Sequence, residues 1–229
     1  MFCHHCGTQV ADDVKFCTAC GKPLAAQPAP AAPSAAWVPP TQAHAAAGRW
    51  LGAAWHLVMS DLGSYLLLTL LFFLLSVVPF ISGSLIAGFH VYTMKKLTGR
   101  NADVGDLFKG FSFFLDAFVA TLLIGVFTFL GTLALIIPGL IVAAMYKFTY
   151  LFMVDKRMDF WRAMKASHAV VRNDYFGFTM FLILAFLVNV VGLCCLVIGL
   201  FVTVPMTFAA VTIAYQELVG FDQRNLETL

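Results

Sequence analysis

Four of the six cysteines in this 229-residue chain fall within its first twenty residues, as Cys3-x2-Cys6-Gly7 and Cys17-x2-Cys20-Gly21. A Cys-x-x-Cys turn brings two thiolates within reach of one ion, and two such turns complete a tetrahedral sulfur site. Glycine directly after the second cysteine of each pair fits a position of positive φ, where backbone N–H groups can turn toward the sulfurs. Cys3, Cys6, Cys17 and Cys20 are therefore the expected ligands of one Zn2+, although an all-sulfur shell also accepts iron. His4 and His5 lie inside the first knuckle, whose cysteines already fill that shell. Four protein ligands leave no open position, so the chemistry is structural rather than catalytic. Gln9-Val10 and Lys15-Phe16 suit two short strands, with Asp12-Asp13 between them. So small a unit has little core, and its folding must draw on the metal, roughly 10 kcal/mol or more for structural zinc. No signal-peptide pattern precedes the knuckles, which leads us to expect a reducing compartment and metal rather than disulfides.

Elsewhere the groups able to do chemistry are sparse. His90, Lys147 and Asn189 interrupt long apolar runs, and ionisable groups inside a membrane are functional candidates by default. Lys147 stands between Tyr146 and Tyr150, a pattern that suits an interface anchor with a snorkelling lysine; a transport site is the competing reading. His90 reads as a packed or interfacial histidine. Asn189 and Gly192 share a helical face and suit close helix packing with an interhelical hydrogen bond. Cys194-Cys195 read as small hydrophobes. Asp61, Asp116 and Asp174 each stand just before an apolar run, as helix caps or as a ring of three carboxylates. No phosphate-binding loop, His-Glu-x-x-His pair or nucleophile with a plausible base is present, so no enzyme is expected.

The surrounding composition says what must position these groups. Hydrophobic residues make up 61% of the chain and charged ones 11%, against about a quarter charged in soluble domains. A chain this apolar needs lipid as its solvent. Six apolar runs, near 62–82, 83–97, 117–137, 138–154, 176–198 and 199–219, predict six transmembrane helices. They pair as three hairpins across uncharged turns, the second and fourth runs being short for a core of about 30 Å. Each hairpin follows an amphipathic stem: Trp50, Leu51, Ala54, Leu57 and Val58; then Leu107, Phe108, Phe111 and Leu115; then Trp161, Met164, His168 and Val171. Such basic, aromatic segments usually lie in the membrane interface. Lys95, Lys96, Arg100, Lys109, Lys156, Arg157, Arg162, Lys165 and Arg172 all fall between hairpins, with Arg49 and Arg224 on the same side. The positive-inside rule then places both termini in the cytoplasm. The net charge of +2 is too small to suggest nucleic acid.

The resulting fold class is an all-α polytopic membrane protein with a small N-terminal zinc ribbon on a disordered linker. Residues 1–24 form the ribbon and 25–48 the Pro/Ala-rich linker; 49–220 form the membrane domain and 221–229 a cytoplasmic tail. Phe2-Cys3-x2-Cys6-Gly7 through Lys15-Phe16-Cys17-x2-Cys20-Gly21 resembles the short zinc-ribbon module at the N-terminus of many bacterial membrane proteins. His4 and Thr18 depart from its usual residues without touching the ligands. That resemblance implies zinc, a bacterial inner membrane, and binding or sensing rather than catalysis. Asn189-Val-Val-Gly192, Gly199 through Pro205, Ala214 through Leu218, the Pro138-Gly139 turn and the Trp161 stem are similar to a broad group of bacterial integral membrane proteins. That group includes the membrane domain attached to some glycerophosphodiester phosphodiesterases; no catalytic segment of that activity is present. The expected partners are membrane lipids and a cytoplasmic protein met through the ribbon, with a homo-oligomer left open. The expected function is recruitment or sensing, and the alternative is a small transporter, channel or lipid-handling protein.

Overall fold

In a computed structural model the described residues are Cys6, Thr8, Gln9, Ala19, Cys20, 37–195 and 198–227. The chain divides into two compact units, Met1–Val38 and Pro39–Leu229. The second is helical throughout its described regular structure. Its helices are α1 (Ala47–Ser60), α2 (Leu62–Leu75), α3 (Ser82–Leu97), α4 (Phe114–Ala134), α5 (Ile136–Met145), α6 (Thr149–Lys156), α7 (Phe160–Val171), α8 (Tyr175–Cys194), α9 (Leu200–Leu218) and α10 (Gln223–Glu227). Two 3-10 segments, Pro79–Ile81 and Val104–Phe113, precede α3 and α4. Pro39 onward already belongs to this unit: Ala43 is fully buried, and Asn173 Nδ2 donates to the Pro40 carbonyl at 3.0 Å. The expected linker therefore ends packed on the bundle. Its residues 25–36 lie outside the described ones.

Among the described residues four stretches are long and apolar enough to cross a membrane: Val104–Ala134, Ile136–Lys156, Tyr175–Cys194 and Leu200–Leu218. A fifth arises if α1 and α2, bent by 100° at their junction, count as one. Their outer faces suit lipid. α4 buries only Ala117 and Ala120, while Leu122, Val126, Phe129, Leu130 and Leu133 are exposed. A helix that is apolar all round needs a partner or a bilayer for every face.

The count differs from six because α2 and α3, with 14 and 16 residues, reach only about 21 and 24 Å at 1.5 Å per residue. Nor do these two form a close hairpin. α2 packs chiefly on α9, while α3 is drawn to the centre, against the 3-10 stem, α4, α6 and α9. Glycine makes this insertion possible. A Cβ on Gly88 would overlap the Leu107 carbonyl, and one on Gly110 would overlap the Ser84 carbonyl. The stem takes the three-residue period of a 3-10 helix, which puts Leu107 and Gly110 on one buried face. Phe108 and Leu115 consequently point outward, unlike the face expected from an α-helical reading. The remaining pairs do close: α4 meets α5 where Gly131 faces Gly139, and α8 meets α9 where Gly192 faces Thr203 and Gly199. An aromatic cluster holds the centre, with Phe89 stacked on Phe208 at 4.5 Å and Phe72 edge-on to both.

The stem helices α1 and α7 bury different amounts of their aromatic faces. α1 buries Trp50, Leu51, Ala54 and Val58, and Trp50 Nε1 donates to Glu217 Oε2 at 2.9 Å. α7 instead buries Ala163, Met164, Ser167, Val170 and Val171. Its Trp161 is exposed, with the Lys165 ammonium 5.1 Å from the ring centroid. The buried face of α7 thus lies away from Trp161, unlike the face expected from the sequence, and centres on the small Ala163 and Ser167.

Candidate functional site

One cavity of about 230 Å³ opens between α3, α4, α5, α6, α8 and α9. Two of the polar residues singled out in the sequence, His90 and Lys147, line it together with Tyr146, Tyr150 and Thr207. Most of the remaining wall is aliphatic, with Phe208 beside it. Asn189 stands one hydrogen bond behind: its Nδ2 donates to the Ala185 carbonyl at 2.9 Å and to Thr207 Oγ1 at 3.4 Å. That second bond crosses from α8 to α9. Three polar groups scattered over a hundred residues of sequence therefore converge on one place.

A break in a helix puts Lys147 there. α5 stops at Met145 and α6 resumes at Thr149, so Tyr146, Lys147 and Phe148 leave the helical ladder. Irregular backbone at membrane depth is tolerated only where it is buried in protein or lines a cavity. Ser167 of α7 satisfies the freed groups: its hydroxyl donates to the Met145 carbonyl at 2.6 Å and accepts the Phe148 N–H at 3.1 Å. Lys147 is exposed, and its side chain lines the cavity. Among the described residues no acidic group pairs with it. Lys147 stands nine residues before Lys156, about 13 Å at helical rise.

His90 is 2% exposed, and its Nδ1 lies 2.8 Å from Thr212 Oγ1. Thr212 donates its single hydroxyl proton to the Phe208 carbonyl at 2.9 Å. With the hydroxyl proton so placed, a neutral ring donates from Nδ1 and keeps the Nε2 lone pair as an acceptor. Tyr150 shares its hydroxyl with Thr121 Oγ1 at 2.8 Å. The cavity thus offers one cation, one ring acceptor and the hydroxyl-bearing Tyr146, Tyr150 and Thr207 on a wall that is otherwise apolar, the general make-up of a small-ligand pocket.

The three carboxylates before the spans do not form a ring around a ligand. Asp61 pairs with Lys96 at the end of α3, and accepts from Ser64 Oγ at 2.8 Å. Asp116 accepts the Phe160 N–H at the start of α7, at 3.3 Å. Asp174 caps α8 through the Gly177 N–H and also accepts the Ala45 N–H, at 2.8 and 3.1 Å. Asp61 joins the two ends of the α2–α3 pair, Asp116 reaches the start of the α7 stem, and Asp174 reaches the segment before α1. Their role is to tie one end of the bundle together. Partial burial of Asp61 opposes its charge, but the hydrogen bonds from Lys96 and Ser64 outweigh this and lower its pKa. The hydrogen bond to Asp61 raises that of Lys96.

Asp155 has a similar structural task that the sequence did not single out. It is fully buried, and accepts from Tyr215 Oη at 2.9 Å and the Asp222 N–H at 2.8 Å, with Lys156 3.0 Å away. It fastens the segment after α9 to α6. Lys95 and Lys109 meet at Asp106 in the same manner, at 2.7 and 2.8 Å.

Of the predicted metal ligands, Cys6 and Cys20 are described and exposed; Cys3 and Cys17, like His4 and His5, lie outside the described residues. Cys6 Sγ donates to Thr8 Oγ1 at 3.3 Å. Among the described residues no group of three or more His, Cys, Asp or Glu could hold a metal ion. Comparison with protein families finds a zinc-ribbon domain over residues 2–24, a stretch that contains all four knuckle cysteines. Their all-thiolate donor set fits a structural zinc site. No curated protein and no solved structure matches the chain. The likeness of the membrane region to the phosphodiesterase-associated group gains no support from a relative, and no activity is taken from it. The chain is thus a protein of several apolar helices that carries an N-terminal zinc-ribbon domain.

Proposed function

We propose that this is a non-enzymatic membrane protein whose bundle holds a small ligand, as a transporter or lipid-handling protein does. The zinc ribbon is its contact with a cytoplasmic partner. The observation that carries the reading is the convergence of His90, Lys147 and, through Thr207, Asn189 on one cavity beside a broken helix. An ammonium inside a membrane helix costs about 2.5–3.5 kcal/mol on insertion scales. A lysine kept there without an internal partner makes sense when a ligand supplies one. In this reading α2 and α3 complete six crossings as short spans, which a locally thinned bilayer accommodates. The lysines and arginines gathered at one end set both termini in the cytoplasm of a bacterial inner membrane. Ala143→Trp, which fills the cavity from α5, should remove a bound molecule that native mass spectrometry detects on the wild-type protein. Equal retention by both proteins would sink the ligand-handling reading.

Recruitment through the ribbon is supported by the family match over residues 2–24 and by a closed ligand shell suited to structure. Cys3, Cys6, Cys17 and Cys20 would hold zinc, which supplies folding free energy to the module and leaves it free to bind a surface. Crosslinking and affinity capture should recover a cytoplasmic protein with the wild-type chain and lose it with Cys17→Ser or Cys20→Ser. Unchanged capture by both variants would end this part of the proposal.

A further inference from the structure

The cavity has a chemical selectivity that can be read from its two nitrogen-bearing side chains, Lys147 and His90, given the ligand-handling reading above. Lys147 provides three N–H donors and a full charge, and no described acid neutralises it. Its match is an anionic oxygen. His90, with Nδ1 committed to Thr212, offers the opposite: a lone pair at Nε2 that needs an N–H or O–H donor. A simple dianion would satisfy the lysine and be repelled by the ring. A hydrocarbon chain alone would satisfy neither. The volume, about 230 Å³, is below the usual range for drug-sized ligands, roughly 300–1,000 Å³, and suits a headgroup or small solute.

Access points to the membrane side. Ile124 and Leu182, which line the cavity, sit on α4 and α8 and are only half-buried. These two helices are candidate spans that leave most of their surface uncovered by protein. Ile86, Ala143 and Phe208 extend the apolar wall. A molecule with one polar end and an apolar continuation could enter between the helices, keeping the continuation against this wall.

We propose that the cavity binds a phosphate group bearing, on itself or on its substituent, an O–H or N–H donor. A phosphate oxygen pairs with Lys147 Nζ, and the donor is accepted by His90 Nε2. A phospholipid headgroup with a hydroxyl or ammonium, and free monoprotonated phosphate, share this chemistry. The lateral apolar wall favours the lipid.

The test uses the full-length protein in nanodiscs of phosphatidylcholine doped with phosphatidylglycerol, with retained lipid counted by native mass spectrometry. Choline has no N–H or O–H to donate, whereas the glycerol headgroup has two hydroxyls. Wild-type protein should retain phosphatidylglycerol over phosphatidylcholine by about tenfold, the order of one charge-assisted or well-made hydrogen bond. His90→Phe should lose that discrimination while still retaining lipid. Lys147→Gln should lose most retention of both, and Lys147→Arg should restore it. A parallel arm titrates inorganic phosphate into the detergent-solubilised protein and reads thermal stability. A Lys147-dependent shift there, without lipid preference, would assign free phosphate as the source of the same chemistry. Retention and stabilisation that are indifferent to Lys147 in both arms would overturn the assignment. If Ala143→Trp still expels a bound molecule in that case, ligand handling stands and only the phosphate chemistry fails.

Discussion

The charged end of the bundle and the cavity treat lysine in opposite ways. At the charged end Lys95 and Lys109 share Asp106, Lys96 pairs with Asp61, and Lys156 lies beside Asp155 and donates to the Gly220 carbonyl at 3.2 Å. These lysines join one segment to another and are satisfied within the protein. Lys147 sits on the unwound residues between α5 and α6, and no described acid answers it. The first arrangement is what a fold needs to close its water-facing end. The second leaves a cation without a carboxylate, and in the proposed reading an external group supplies the missing partner. A lysine among apolar helices thus has two settings here, and the presence or absence of a carboxylate partner tells them apart.

The largest effect should come from breaking a satisfied site. Asp155→Ala removes the acceptor for Tyr215 Oη and the Asp222 N–H and leaves Lys156 without its carboxylate. Breaking a buried charged pair by deleting one partner costs about 3–5 kcal/mol. Reversible unfolding in mixed micelles should show a loss of that order, and a loss below about 1 kcal/mol would mean water already reaches the site. Asp155→Asn, which retains an acceptor, should lie between the two.

The cavity should respond with the opposite sign. Lys147→Met removes a cation that the ligand-free protein does not neutralise, and the insertion scale sets the gain at about 2–3 kcal/mol. In lipid-stripped detergent this variant should unfold later than wild type. Destabilisation comparable to that of Asp155→Ala would show that Lys147 is a structural cation after all and would erase the distinction between the two regions.

Much of this was readable from residue types. The four ribbon cysteines announce themselves by spacing, and α4, α8 and α9 by unbroken apolar length. α3 is different: a helix buried on most sides in protein has the same composition as one buried in lipid, so its central position could not be read from hydropathy. The 3-10 stem was hidden for a related reason, since the role of Gly110 depends on Ser84 and Gly88, over twenty residues earlier. His90, Lys147 and Asn189 each stood out as polar residues in apolar runs. Their convergence did not, because it needs the break at Tyr146–Phe148 and the Ser167 hydroxyl that stabilises it from another helix. From sequence alone, Tyr146 and Tyr150 on either side of Lys147 suit an interface anchor as well as a cavity wall. Asp155 was masked by Lys156-Arg157, which read as a simple boundary charge cluster.

The smallest effect separates the two regions by pH. Asp61 and Lys96 are both about a third exposed, so their pair should be worth roughly 0–1 kcal/mol. Its sign is nevertheless fixed by the shifts. Asp61, held lower in the folded protein, contributes stability present above the unfolded carboxylate value, about 3.9, and lost as pH falls through the folded value. Lys96, held higher, contributes stability present below about 10.4 and lost as pH rises through its own folded value. A double-mutant cycle with Asp61→Asn and Lys96→Met should therefore give a coupling that is flat from about pH 5 to 9. It should shrink at both extremes and weaken with added salt. The stabilising effect of Lys147→Met involves no such pair and should not fade with Asp61 in acid. Should the Asp61–Lys96 coupling persist undiminished well below the carboxylate range, the pair is held by packing around Tyr92, whose hydroxyl donates to Asp61 at 3.3 Å, and charge would not be what closes this end of the bundle.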